Sequence, residues 1–355
     1  MKTTYAKGRM AADIAPGEEA DGLFLIGAAA VQQARNGPFW RLELRDATGT
    51  LEARIWSPAS REYSELPTGR IVEIEGRAEV FRDQMQIGVS RLRLLSEEEV
   101  GQLDMADFLA SSSRPTEDML AEIEAMCRRE LRHKPWRELM ASMLCDGDIR
   151  ERLLTAAAAK NVHHAWAGGL LEHMLGVARL CLMFAELYPE LDRQTLLVGA
   201  LTHDLGKLWE LSGGLVNGYT DEGLLVGHTS LGLEKLEPHI LKSGLEPELA
   251  LHLRHLILSH HGLPEYGAAR EPLTAEAFAL HHADNVDAKL VQLRTLFQGL
   301  EPDESGWSPY QATLKRAVFR VPRTPETGER AAQAERSRNP KVNDKPSREE
   351  QCSLL

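Results

Sequence analysis

Residues 196–208 read LLVGALTHDLGKL, an apolar run that ends at the adjacent pair His203 and Asp204 and then breaks at Gly206. A polar ring in such a run is unfavourable to bury unless it has a partner. The pair can place an imidazole and a carboxylate at one end of a helix, and a carboxylate there can bridge two metal ions. The stretch therefore predicts a helical domain with a metal site where this helix ends.

Four further candidate ligands lie in or beside apolar helical patterns on either side of this stretch. They are His173 in GGLLEH, His228 in VGHTSLG, His260 in LSHHG and Asp284 in HHADN. Imidazole and carboxylate ligands suit Mn, Fe, Co or Zn better than Mg or Ca, and no cysteine lies close enough in sequence to suggest a thiolate site. A His-Asp pair alone is a weak signal in a chain with 13 histidines. The ordered series of His and Asp residues nevertheless predicts a catalytic metal centre.

The first part of the chain reads as five strands with one short helix between the third and the fourth. Alternating apolar residues mark the strands, and Gly, Pro and the sequence DATG mark the turns. Ser57 is the expected cap of the short helix SPASREYSEL. Three strands, a helix and two strands is the order of an OB-fold barrel, which most often binds single-stranded nucleic acid or oligosaccharide.

Rings and basic side chains on this barrel are the candidates for stacking on bases and for contacting phosphates. Trp40 and Trp56 fit the barrel core equally well, whereas Phe81 and Arg82 lie at a predicted turn, which favours exposure. A barrel that binds no nucleic acid, and only packs on the other domain or on a neighbouring subunit, is an open alternative. The predicted contact residues are Phe39, Trp40, Arg41, Arg54, Trp56, Phe81 and Arg82.

The remaining segments complete a multidomain α and β protein. An acidic and then Ser-rich stretch predicts a linker that ends at a proline, with Thr116 as the cap of the next helix. Apolar residues then recur at spacings of three and four, as in an all-helical domain. The C-terminal segment is charged and poor in apolar residues, which predicts disorder. The predicted boundaries are 1–20 for an N-terminal extension, 21–95 for the OB-fold barrel, 96–116 for the linker, 117–320 for the helical phosphohydrolase-like domain and 321–355 for the tail.

Composition is that of a globular protein of about two domains, with 43% hydrophobic residues in a chain of 355. No apolar run approaches the roughly 18 residues that cross a bilayer, and the N-terminus lacks a secretory signal. Four widely spaced cysteines without a CxxC motif suit a reducing compartment, so we expect a cytoplasmic protein with no membrane partner.

Residues 1–95 carry thirteen basic and thirteen acidic side chains, so the net charge of −12 lies beyond them. Contacts with nucleic acid should therefore be local.

Four blocks of sequence resemble those of YhaM-type 3′-to-5′ exoribonucleases, bacterial enzymes that join an OB-fold to an HD domain. The blocks are NVHHAWAGGLLEHMLGVARL, LLVGALTHDLGKLWEL, LRHLILSHHG and ALHHADNVDAKL. The resemblance implies release of nucleoside monophosphates from the 3′ end of single-stranded RNA, with single-stranded DNA left open as a second substrate. It also implies two divalent ions in each site, manganese first and iron, cobalt or zinc as alternatives. A homo-oligomer is implied as well, although no feature of the sequence identifies an interface.

The same resemblance assigns roles by matched position. Asp204 is the expected bridge between two ions, and the two ions together would activate one water molecule for attack. One ion would be held by His173, His203, Asp204 and Asp284, and the other by Asp204, His228 and His260. Lys207, one helical turn beyond His203, is expected to donate to a phosphate oxygen.

Three more histidines have expected roles near the substrate. Adjacent helical residues diverge by about a hundred degrees, so His261 is not expected to share a metal with His260. It is expected to contact phosphate, to protonate the leaving group, or to have only a supporting or surface role. His163 and His164 precede a turn of small residues, AWAGG, and the matching family block implies phosphate binding there.

Other function classes use the same ligand types. They are a phosphohydrolase of small nucleotides or cyclic dinucleotides, and a diiron oxygenase. No GYP block follows the His-Asp pair, which argues by family analogy against cyclic dinucleotides, and an oxygenase gives the barrel no purpose. A nucleic-acid-binding regulator with a structural metal site is the alternative from a different class.

Overall fold

The structure is a computed structural model, and the chain divides into two compact units, residues 1–292 and 293–355. Among the described residues, every helix is too short or too polar to span a bilayer. The described residues are 6–81, 84–109, 112, 114–159, 164, 166–213, 218–297, 304–322 and 324.

Five strands form a closed barrel near the N-terminus. They are β1 Gly22–Ala34, β2 Gly37–Asp46, β3 Gly49–Ile55, β4 Ile71–Phe81 and β5 Gln84–Leu94. The strand order is β1-β2-β3-β5-β4, with β4 paired back to β1, and β3 and β5 are the parallel pair. Along β3, Leu51, Ala53 and Ile55 are buried, and the residues between them are more exposed. This alternation places one face of each strand in the barrel core. The closed barrel of five strands confirms the predicted OB-fold.

Both predicted helix caps are wrong. The element between β3 and β4 is one turn of 3-10 helix, Ala59–Glu62, and the residue that precedes it is Pro58. The first long helix begins at Thr116 itself, and Pro115 occupies the position before it. Proline has no side-chain oxygen that could accept from the first N–H groups, so both elements begin without a side-chain cap.

The segment before β1 packs on the barrel. Ala11, Ile14 and Ala20 belong to the barrel core. Lys7 Nζ donates to Asp46 Oδ2 at 2.9 Å, and both side chains are buried. This buried ion pair joins the segment to the end of β2. Removing either partner would leave an uncompensated buried charge, so the contact holds the segment against the barrel.

The rest of the first unit is helical. Its helices are α1 Glu97–Val100, α2 Thr116–Glu130, α3 Lys134–Leu144, α4 Gly147–Thr155, α5 Gly169–Leu187, α6 Arg193–Thr202, α7 Lys207–Glu210, α8 Asp221–Val226, α9 His228–Ser243, α10 Pro247–Ser259 and α11 Ala275–Leu296, the last of which continues into the second unit. The predicted linker contains α1, and its Phe108 packs with Leu95 against Leu23, Leu25 and Ile71 of the barrel.

Helix α6 lies at the centre of the helical core. All of its residues from Thr195 to Thr202 are buried, and it packs against α3, α5 and α10. A helix that is apolar on every side is one that is packed on every side, which explains the run that precedes the His-Asp pair. His203 follows the last residue of α6, so this buried helix places His203 and Asp204 in the interior of the domain.

The second unit, as far as it is described, contains a two-stranded antiparallel sheet. Its strands are β6 Gly306–Trp307 and β7 Phe319–Arg320. Most of the predicted disordered tail lies outside the described residues.

Candidate metal centre and barrel surface

The six predicted metal ligands lie in one cluster, which helices α5, α6, α9, α10 and α11 bring together. His173 lies in the first turns of α5, His203 and Asp204 follow α6, His228 begins α9, His260 follows α10 and Asp284 lies within α11. Gly206 lies between α6 and α7, and close approach of this turn to the start of α9 requires it, because a Cβ atom there would lie 1.9 Å from the carbonyl oxygen of His228. The glycine that breaks the apolar run thus lets the ends of two ligand-bearing helices meet.

One oxygen of Asp204 faces two imidazoles. Its Oδ2 lies 3.4 Å from Nε2 of His173 and 3.4 Å from Nε2 of His203. The two nitrogens are 3.3 Å apart. Asp284 Oδ1 lies 3.3 Å from His173 Nε2, so four donor groups meet on this side of Asp204.

The other oxygen of Asp204 faces a second group of imidazoles. Its Oδ1 lies 3.5 Å from His228 Nε2 and 3.6 Å from His260 Nε2. His261 joins them, with its Nε2 at 3.2 Å from His228 Nε2. The expectation that His261 diverges from His260 is wrong, because α10 ends at Ser259 and the two histidines form the turn that follows.

These distances fit divalent cations on both sides of Asp204. Neighbouring ligands of a cation with bonds of about 2.1 Å are about 3.0–3.4 Å apart in octahedral or tetrahedral geometry, close to the separations above. Asp204 Oδ1 and His260 Nε2 are buried and have no hydrogen-bond partner within the described part of the chain. Unpaired buried polar atoms are unfavourable, and a bound cation would satisfy both.

The imidazoles are held by their other ring nitrogen. Nδ1 of His203 lies 2.9 Å from the carbonyl oxygen of Ala200, and Nδ1 of His260 lies 2.7 Å from that of Ile257. A carbonyl only accepts, so Nδ1 carries the proton and the Nε2 lone pair is directed toward Asp204.

Carboxylates do the same for the other two rings. Glu210 Oε1 accepts from Nδ1 of His228 at 3.0 Å, and Asp287 Oδ2 accepts from Nδ1 of His173 at 2.8 Å. Each side of the centre therefore has one imidazole backed by a carboxylate.

The acidic ligands are ionised. Burial by itself raises the pKa of Asp204, but the Lys207 ammonium and His203 outweigh it, and the pKa lies well below the usual value. Burial also opposes ionisation of Asp284, yet the hydrogen bond from His173 and the charge of that ring outweigh it and lower the pKa of Asp284. Lys207 Nζ donates to Asp204 Oδ2 at 2.6 Å, and this carboxylate raises the lysine's pKa although burial lowers it.

The imidazoles on the two sides differ in basicity. Burial, with His260 and His228 beside it, lowers the pKa of His261 to about 3, and burial also lowers the pKa of His260. Both rings are then neutral near pH 7 and offer lone pairs to a metal. For His173, burial lowers the pKa, but hydrogen bonds to Asp204 and two other carboxylates outweigh it and place the pKa well above the usual value.

An aromatic patch lies on the barrel surface. Phe39 and Trp56 stack with ring centroids 4.6 Å apart, and the Arg54 guanidinium lies 5.5–5.8 Å from the rings of Phe39, Trp56 and Phe81. Trp56 is 40% exposed and Phe81 is 48% exposed. Glu52 accepts from Arg54 at 2.8 Å and from Arg41 at 2.7 Å, so one carboxylate neutralises two cations beside the patch.

Comparisons with known proteins agree with these two sites. A family model described as an HD domain matches residues 170–289, and one described as an OB-fold nucleic acid binding domain matches residues 28–95. The 3′-5′ exoribonuclease YhaM of Bacillus velezensis is 34% identical over 300 residues, which cover 84% of this chain and 93% of that protein. YhaM of Shouchella clausii is 35% identical over 289 residues, with 81% and 89% covered. The chain belongs to the YhaM family.

A solved structure resembles the barrel of this YhaM-family chain. It is the second OB-fold domain of replication protein A from Methanococcus maripaludis, at 18% identity and a TM-score of 0.22, covering 25% of this chain and 95% of that one.

Three predicted substrate contacts in this YhaM-family chain are wrong, because their rings are buried. Phe39 is 7% exposed and stacks against Trp56 from the barrel side. Trp40 is 8% exposed and belongs to the barrel core, where its Nε1 donates to the carbonyl oxygen of Tyr63. His164 is 1% exposed, and its Nε2 lies 3.0 Å from Asp287 Oδ2. None of the three rings faces solvent, so none reaches a substrate in this structure. His163 and Arg82, also predicted as contacts, lie outside the described residues.

Asp287 and Glu210 are functional candidates that the sequence analysis missed. Each follows a predicted site residue by one helical turn, Asp287 after Asp284 and Glu210 after Lys207. Spacing of three residues places both members of a pair on one helix face, so this period was the available signal. Many acidic residues lie between positions 192 and 284, however. Their spacing alone does not say which of them contact a histidine.

Metal binding should release a proton from His173. Its raised pKa favours the protonated ring in the metal-free protein, and a metal requires the neutral ring, so proton and metal compete for one nitrogen. We expect the affinity for Mn²⁺ to fall as pH decreases. Calorimetric titration with Mn²⁺ at pH 7, in buffers of different ionisation enthalpy, counts the protons released. Binding without proton release would contradict the expectation.

Proposed function

We propose that this chain is a metal-dependent exoribonuclease that removes nucleoside monophosphates from the 3′ end of single-stranded RNA. Manganese, with two ions in each site, is the proposed cofactor, and single-stranded DNA is a proposed second substrate. We place the enzyme in the cytoplasm, in agreement with its cysteine usage, and we propose that it forms a homo-oligomer, as the family resemblance implies.

The observation that carries this proposal is the position of Asp204 between two groups of imidazoles. Its Oδ2 faces His173 and His203, and its Oδ1 faces His228 and His260. A single carboxylate with donors on both oxygens suits a bridge between two cations. Bound ions would neutralise charge on the phosphoryl oxygens and lower the pKa of a water molecule for attack.

Lys207 is the proposed phosphate donor of the site. Its ammonium has three N–H groups, and the bond to Asp204 Oδ2 uses one of them. The side chain is 13% exposed, so the ammonium borders the site without facing bulk water. A contact with a non-bridging oxygen would leave the Asp204 bond in place and stabilise the charge that develops during hydrolysis.

The aromatic patch, defined as Phe39, Arg54, Trp56 and Phe81, is the proposed RNA-binding surface of the barrel. Bases stack on exposed rings without regard to sequence, and an Arg beside the rings contacts phosphate or base planes. Exposed Trp56 and Phe81 supply the rings, while Phe39 backs Trp56 from the barrel side.

A time course with labelled RNA tests the proposal. Single-stranded RNA labelled at its 5′ end, incubated with Mn²⁺, should give a ladder that shortens from the 3′ end. The same RNA labelled at its 3′ end should release labelled mononucleotide at once. A double variant, His203→Ala with Asp204→Ala, should leave both RNAs intact.

Other outcomes distinguish the alternatives. RNA that stays intact with every metal, together with phosphate release from small nucleotides, would indicate a small-nucleotide phosphohydrolase. Intact RNA that is nevertheless bound would indicate a nucleic-acid-binding regulator. Chromatography of the products tests the release of monophosphates, and a DNA strand of the same sequence tests the second substrate.

We expect Trp56→Ala to weaken binding of single-stranded RNA by roughly 1–3 kcal/mol, because one stacking platform is lost. Glu52→Gln should have the opposite effect, since it frees Arg41 and Arg54 from their shared carboxylate. Fluorescence anisotropy with labelled RNA, in the presence of EDTA to prevent hydrolysis, measures both affinities.

Salt dependence and a matched control complete this test. Each newly available Arg contact should steepen the slope of log affinity against log salt by roughly 0.7. Val31→Ala is the control, because Val31 is a 58% exposed apolar residue of the same barrel outside the patch. Equal losses in Trp56→Ala and Val31→Ala would remove the patch from RNA binding.

A further inference from the structure

Asp287 lies behind the metal centre, away from Asp204. Its Oδ2 accepts from Nδ1 of His173 at 2.8 Å and from Nε2 of His164 at 3.0 Å. The Asp287 side chain is 13% exposed, and the two rings are almost fully buried. One carboxylate oxygen therefore joins a candidate ligand to a residue that is outside the ligand cluster.

Helix α5 admits this carboxylate because it has a glycine at position 176. A Cβ atom on Gly176 would lie 2.2 Å from Asp287 Oδ1, closer than any real contact. Gly176 is one helical turn beyond His173 and so lies on the same face of α5. Because Gly176 has no side chain, it leaves the space through which Asp287 reaches His173.

His164 is held in place from the other side. Its φ is +51°, in the left-handed region that is unfavourable for a residue with a Cβ. A Cβ atom on Gly169 would lie 2.1 Å from the carbonyl oxygen of His164, and that oxygen accepts from the backbone N–H of Ala158 at 3.0 Å. An unfavourable backbone conformation persists where the surrounding contacts hold it in place. Here the contacts with Gly169 and Ala158 hold the His164 backbone so that its ring points at Asp287.

We infer that Asp287 is a positioning residue for His173, and that Gly176 and His164 fix where Asp287 stands. Asp287 lies at Nδ1 of His173, whereas Asp204 and Asp284 lie at its Nε2. By accepting the hydrogen bond from Nδ1–H, Asp287 sets which nitrogen of His173 is free, turns the ring toward Asp204, and raises the basicity of Nε2. The inference rests on the proposed metal centre.

The direct test is titration with Mn²⁺, followed by the electron paramagnetic resonance signal of free Mn²⁺. Loss of a carboxylate behind a metal-bound histidine typically lowers metal affinity about 10–100-fold, and we expect this for Asp287→Asn. The amide has nearly the same shape, so the change removes the charge while leaving the volume. At saturating Mn²⁺ the variant should recover kcat to within about fivefold, because its defect is in metal affinity.

Gly176→Ala provides a second test that alters no polar group. Replacing glycine by alanine inside a helix normally stabilises a protein. At this position the added methyl should displace Asp287 and weaken Mn²⁺ binding as Asp287→Asn does. Gly147→Ala is the matched control, since a Cβ there meets no atom within 4 Å, and its Mn²⁺ affinity should equal that of the native protein.

The outcomes separate this inference from the proposed function. If the native chain takes up no Mn²⁺, the metal centre itself is wrong. If the native chain binds Mn²⁺ and both Asp287→Asn and Gly176→Ala give the native isotherm, only the positioning role is wrong. Circular dichroism of each metal-free variant establishes folding, and Gly176→Ala decides the matter if Asp287→Asn does not fold.

Discussion

Asp204→Asn is expected to abolish hydrolysis of single-stranded RNA, with a loss of roughly 10³-fold or more in kcat, equivalent to roughly 4 kcal/mol of transition-state stabilisation. The two oxygens of Asp204 face the two groups of imidazoles, one on each side. An asparagine keeps an oxygen on one side but presents an amide N–H on the other and carries no charge. It therefore cannot join two cations.

Single-turnover hydrolysis of labelled RNA at saturating Mn²⁺ measures this loss directly. Asp148→Asn is the control, because Asp148 is an exposed carboxylate of the same domain that pairs with Arg152 on the surface. RNA binding by the barrel should be unchanged in both variants. Activity of Asp204→Asn within tenfold of the native rate would exclude the bridging role.

Asp46→Ala is expected to destabilise the barrel by roughly 3–5 kcal/mol, because it leaves the buried ammonium of Lys7 without a counter-ion. The side chain of Asp46 is fully buried, and that of Lys7 is 6% exposed. The same carboxylate accepts from the backbone N–H groups of Ala11, Thr48 and Gly49. The variant would leave these donors unpaired as well.

Hydrogen exchange of peptides from the barrel strands measures this change locally, apart from the helical domain. The exposed carboxylate Glu65 gives the control, Glu65→Ala, which should change exchange by less than about 0.5 kcal/mol. Adding Lys7→Met to Asp46→Ala should restore part of the loss by removing the uncompensated charge. An unchanged exchange rate in Asp46→Ala would mean that the ion pair does not hold the segment to the barrel.

The pH dependence of this contribution has a defined sign. Burial raises the pKa of Asp46, but hydrogen bonds from Thr48, Lys7 and Ala11 outweigh it and lower the pKa overall. A carboxylate with a lowered pKa in the folded state stabilises the fold above its unfolded pKa of about 3.9. The contribution is lost as pH falls through the folded-state value, so the native protein and Asp46→Ala should converge in stability in acid.

The sequence determined the elements and the chemistry of the ligands. Alternation along Leu51, Ala53 and Ile55 is a property of adjacent residues, so the strands of the barrel could be read in order. The apolar run before His203 and Asp204 likewise marked a buried helix with polar ligands at its end. Such patterns are local, because the period of a strand or helix and the donor atoms of a side chain do not depend on distant packing.

Tertiary structure decided which side chains meet. The family resemblance implied a phosphate contact for His164, and helix geometry predicted a separate direction for His261, yet the fold turns His164 onto Asp287 and brings His261 beside His228. It also removed Trp40 from the barrel surface. Each of these outcomes depends on where helices end and how closely they pack, as Gly176 and Gly206 illustrate. The sequence contains those glycines, but only the approach of a second helix gives their missing side chains a function.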